Sequence, residues 1–128
     1  MIKAHGSFAK TATYALLFAA ATTTAIIGIE SADSVSPIAM MFIAWAITPY
    51  AGLAAAAARV SAKAAMAVVL VFSLLVGASG IGLLIDAMYI HPDAQGGLVF
   101  VFAPLWQWVL IGLAALPLYF LNRANTAR

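Results

Sequence analysis

The chain has 128 residues, of which 66% are hydrophobic and only 8% charged, and its mean hydropathy is +1.08. A soluble domain carries about 25% charged and about 45–50% apolar residues, so an ordinary soluble fold is excluded; four crossings of about 20 apolar residues each use up the length and leave no room for a soluble domain. The formal charge of +2 comes from six Lys and Arg against four Asp and Glu, and the basic residues are divided among three short segments rather than massed on one face, which speaks for topology signals and against a nucleic-acid surface.

Taken in order, Met1 to Lys10 carries Lys3, His5 and Lys10 and leads into an apolar run over about residues 11–29, long enough to span. The same stretch has the layout of a secretory signal peptide: a basic start, an apolar centre from Tyr14 to Phe18, and small residues at Ala19, Ala20 and Ala21. The run continues through Ala25, Ile26, Ile27 and Ile29 and therefore reads as a full span; cleavage would leave three helices. Glu30 to Ser36 reads as a short polar loop, with Ser36 placed to cap a second span over about residues 37–58 and Pro37 in its first turn, where it has no N–H to lose. That span holds Trp45, Thr48, Pro49 and Tyr50 and ends in the alanine run Ala54 to Ala58, with Arg59 and Lys63 marking the next loop.

A third span, over about residues 64–86, is rich in Val and Leu and carries Ser73, Gly77 and Gly80 on one helical face, a small-residue stripe that lets another backbone approach closely. His91, Pro92 and Asp93 mark the loop that follows, Pro92 stops the third helix, and Gly96 with Gly97 loosens the entry to the fourth. The fourth span, over about residues 98–121, contains Pro104 and Pro117, and Asn122 to Arg128 reads as a polar tail. A helix beginning at Pro104 would place Trp106 and Trp108 in an outer aromatic belt. A start near Leu98 with a kink at Pro104 is expected instead, because it leaves no unpaired backbone in lipid.

Every Lys and Arg falls at the N-terminus, in the second loop or at the C-terminus, and every Asp and Glu in the first or third loop. Four spans with that alternation predict both termini in the cytoplasm. The expected fold is thus an all-α integral membrane protein, a four-transmembrane-helix bundle with short loops, in which residues 1–128 form a single membrane domain. The expected location is the bacterial inner membrane. Trp45 with Pro49, and Pro104 with Trp106 and Trp108, hint at a two-plus-two repeat, but so few matches recur by composition alone.

The densest polar stretch runs from Asp86 to Asp93. Carboxylate and imidazole together suit a divalent cation or a proton relay, and the candidate metal set is Asp86, His91, Asp93 and Glu30, with Asp33 on the same expected side. Asp86 and Glu30 stand near the negative ends of their helices, where a shared counter-ion would serve both. Against this, no ligand spacing such as two histidines one turn apart is present, and acids in an outer loop also follow topology alone. Cysteine is absent, which excludes thiolate metal sites, disulfide exchange and cysteine acylation.

Inside the bilayer no Asp, Glu, Lys, Arg or His lies near the middle of a span, which argues against a proton-coupled pump. Small multidrug transporters have this size but need a buried glutamate in the first span, which is missing here. No cofactor is expected, since two histidines on opposite sides do not form a haem pair. Proline cannot donate to the carbonyl four residues back, so Pro49, Pro104 and Pro117 free acceptors at Trp45, Phe100 and Leu113. Gln107 is expected to tie the fourth helix to the second, where Thr48 lies at a comparable depth, with Tyr50, Ser73, Gly77 and Gly80 as further intramembrane polar or packing positions; a substrate contact at Gln107 is the sharper alternative.

No catalytic residues are expected, because the acid and base groups gather in one loop without a placed nucleophile. The leading expectation is a small non-enzymatic accessory or self-associating bundle, whose partners are the lipid bilayer and either further copies or a larger membrane complex. The alternative is a small channel or carrier for an ion or small solute, with Glu30, Asp33, Asp86, His91 and Asp93 lining an acidic outer vestibule.

Overall fold

The structure, a computed structural model, describes residues 2–32, 34, 36–92 and 96–126. It is built from four helices, α1 (Ile2–Ser31), α2 (Pro37–Arg59), α3 (Lys63–Ile85) and α4 (Val99–Thr126), with a π-helical turn at Asp86–Ile90 and a short 3-10 turn at Gly96–Leu98 between the last two. All four are long and apolar enough to cross a membrane. Among the described residues no strand is present.

Local chemistry accounts for the ends. Ser36 caps α2 by accepting from the Ala39 N–H at 3.1 Å, with Pro37 in the first turn. α1 starts at Ile2 rather than near residue 11, and α4 continues to Thr126 rather than stopping near residue 121. Both differences have one cause: hydropathy marks where lipid-compatible sequence begins, whereas a helix runs on until a proline or a capping residue stops it. The apolar span within α1 begins at Phe8. Glu30, expected in a loop, belongs to the last turn of α1 for the same reason.

The π turn follows α3 directly, and the His91 N–H closes it on the Asp86 carbonyl at 2.7 Å. The helical path therefore reaches Ile90 before Pro92 ends it. α4 passes through Pro104 without interruption, so Trp106 and Trp108 lie inside the helix, well after its start at Val99.

α1 and α4 occupy opposite corners of the bundle, and each packs along both α2 and α3. Three apolar layers follow one another along the axis. Ala57, Ala65, Met66 and Val69 form one near the basic end; Leu17, Ala20, Tyr50, Leu53 and Val76 form the middle; Ile27, Ala46, Leu84 and Phe100 form the third. The outer surface is apolar too, with Phe18, Leu75, Leu113, Leu116 and Phe120 all more than half exposed. A surface of that kind is stable against lipid tails and unstable in water, which marks the chain as a membrane protein.

Close approach depends on small residues. Gly77 lies where an added Cβ would sit 3.8 Å from the Ala20 Cβ, an ordinary contact between α3 and α1. Gly52 of α2 lies directly under the indole of Trp108, whose Cη2 would be 2.6 Å from a Cβ there. Gly80 faces the Gln107 amide and the Tyr50 hydroxyl. The stripe on α3 thus serves three neighbours, Gly77 meeting α1 and Gly80 meeting α4 and α2.

Candidate functional site

Among the described residues, Gln107 is the most polar group buried within the bundle, 2% exposed. Its Nε2 donates to the Tyr50 hydroxyl at 3.0 Å and to the Val76 carbonyl at 2.9 Å. One amide thereby joins α4 to α2 and α3. Gly80 makes the approach feasible, because a side chain there would occupy the position of the amide. The space left beside it, bordered by Thr24, Tyr50, Gly80 and Gln107, is only about 10 Å³, at the lower limit for one water.

Thr48, at the depth expected to meet Gln107, is used differently. Its hydroxyl donates to the Trp45 carbonyl at 2.7 Å, the acceptor released by Pro49, and accepts from the Trp108 indole N–H at 3.1 Å. The Trp45 indole N–H reaches across to the Val101 carbonyl at 3.3 Å. α2 and α4 are therefore fastened by three side-chain donors, Trp45, Gln107 and Trp108. The buried threonines Thr13 and Thr24 turn their hydroxyls back onto Ala9 and Ala20, one turn earlier in α1. Ser73, fully buried on α3, is the one buried side-chain polar group among the described residues whose oxygen has no hydrogen-bond partner.

The candidate metal residues divide into separate pairs. Asp86 Oδ1 and His91 Nδ1 are 2.7 Å apart on the surface, an ion pair when the imidazole is protonated. Glu30 instead accepts from the Tyr89 hydroxyl at 2.9 Å, which binds the end of α1 to the π turn. Asp33 and Asp93 lie outside the described residues. Among the described residues, no three His, Asp or Glu side chains come together around one point. The π turn brings Asp86 and His91 into reach by its wider five-residue bond, a geometry that loop spacing does not reveal. Sequence spacing also gave no hint of Tyr89, the one phenol in the segment.

Two larger recesses flank the sealed middle. One, of about 480 Å³, opens near the Glu30 end among α1, α2 and α4 and is walled chiefly by apolar side chains such as Phe42, Ile43, Met88 and Phe100. The other, of about 690 Å³, lies between α2 and α4 at the end carrying Arg59 and Arg123. At that same end Asn122 Oδ1 accepts from the backbone N–H of Ser61 at 3.0 Å and from its hydroxyl at 3.2 Å, holding the α2–α3 connection against α4. Asn122, expected in a polar tail, is therefore part of the helical bundle.

No family model matches the chain, and no curated protein or solved structure is similar to it.

Proposed function

We propose that the protein is a non-enzymatic, multi-pass protein of the bacterial inner membrane that acts through its lateral surface, as an accessory subunit of a larger complex or as a self-associating bundle. The observation that carries this reading is the filled axis: Leu17, Tyr50, Leu53, Val76 and Gln107 pack the middle and leave about 10 Å³ beside the amide. A passage for an ion or solute through one bundle would have to break the Gln107 bonds. The surface, in contrast, offers an apolar recess of about 480 Å³ between α1, α2 and α4, wide enough to take side chains of a neighbouring helix. Both termini are assigned to the cytoplasm, because Arg59, Lys63 and Arg123 lie at helix ends on one side of the bundle and Lys10 lies in the N-terminal part of α1 on that same side.

Gentle detergent extraction from membranes containing the protein at native abundance, followed by native mass spectrometry, tests this reading. A defined stoichiometry is expected, with further copies or with a larger membrane partner. A 13.3 kDa monomer as the single species, both in detergent and in lipid nanodiscs, contradicts it.

A further inference from the structure

The recess at the basic end has the polarity of a phospholipid. On α2, Gly52, Ala55 or Ala56, and Arg59 follow one another at three- and four-residue steps, so they share a face. On α4, Ala115, Tyr119 and Arg123 do the same. Both walls therefore run from small and apolar near the middle of the bundle to cationic at its end. The small side chains are what open the space, about 690 Å³. Arg59 and Arg123 are exposed at its mouth, and Arg123 sits over the Tyr119 ring with Cζ 6.0 Å from the centroid. All four Asp and Glu residues belong by sequence to the segments around the α1–α2 and α3–α4 connections, at the opposite end. The field at the groove mouth is accordingly positive.

We infer that this groove is a binding site for an anionic phospholipid, with its phosphate at Arg59 and Arg123 and an acyl chain along the alanine-lined wall. A zwitterionic lipid offers the same chain but no net charge, and a soluble phosphate offers the charge but no chain. A basic residue at an anionic lipid surface contributes about a five-fold preference, so the two arginines together contribute about 30-fold.

Native mass spectrometry of the full chain with phosphatidylglycerol or phosphatidylcholine measures this directly. Phosphatidylglycerol is expected to be retained about 30-fold more strongly, to lose about five-fold of that in Arg59→Gln or Arg123→Gln and nearly all of it in the double variant. Lys63→Gln removes one charge from the same end outside the groove and is expected to lower the preference by less than either arginine variant does. Ala55→Phe keeps both arginines but fills the groove, and is expected to lower retention of phosphatidylglycerol. Soluble glycerol phosphate is expected not to compete. Equal retention of the two lipids, a loss in Lys63→Gln equal to that in Arg59→Gln, full retention in Ala55→Phe, or displacement by glycerol phosphate would each overturn the assignment.

Discussion

Gln107→Leu is expected to destabilise the bundle by about 1 to 3 kcal/mol, because it removes two interhelical hydrogen bonds that average about 0.6 kcal/mol each in membranes and reach about 1.7. Leucine keeps much of the volume, so the loss reports polar contacts rather than a cavity. The Tyr50 hydroxyl, itself buried, is left without the amide that donates to it. Reversible unfolding in mixed micelles by a denaturing detergent measures the effect. A double-mutant cycle with Tyr50→Phe isolates the α2–α4 bond, for which a coupling of about 0.6 to 1.7 kcal/mol is expected. A Gln107→Leu protein as stable as the parent would show that the amide does not fasten the helices.

Two glycines three residues apart on α3 are expected to respond to the same substitution with losses of very different size. Gly80→Ala drives a methyl group into the position of the Gln107 amide and to within 3.0 Å of the Tyr50 oxygen. The amide must swing away, so the variant loses the same bonds and adds overpacking, about 1 to 3 kcal/mol in all. Gly77→Ala places its methyl at an ordinary 3.8 Å from Ala20 and is expected to change stability by less than about 0.5 kcal/mol. The same micelle titration compares them. Equal losses at the two positions would mean that the stripe acts only as a generic close contact.

The spans were legible because each crossing demands a long apolar run, and nothing shorter would do in lipid. Helix ends were less so, as α1 and α4 show: residues such as Lys10 and Asn122 are polar and helical at once, so polarity does not locate the last turn. Interior partners depend on rotation about the helix axis as well as on depth. Thr48 and Tyr50 lie at similar depth, yet two residues turn the helix by about 200°, so Tyr50 points to Gln107 while Thr48 meets Trp108. The amphipathic signal that normally reports rotation is weak when both the core and the exterior are apolar. The partners of the Trp45 and Trp108 indoles, the Val101 carbonyl and the Thr48 hydroxyl, follow only from the packing of α2 against α4.

The absence of cysteine makes the membrane arrangement directly measurable with single introduced thiols. Ser34→Cys and His91→Cys mark one end of the bundle, and Lys63→Cys and Arg123→Cys the other. A maleimide that does not cross membranes is expected to label the first pair on intact spheroplasts, and the second pair only after the membrane is opened. Labelling of Lys63→Cys from outside, or of Ser34→Cys and His91→Cys from different sides, would contradict a four-span bundle with both termini in the cytoplasm.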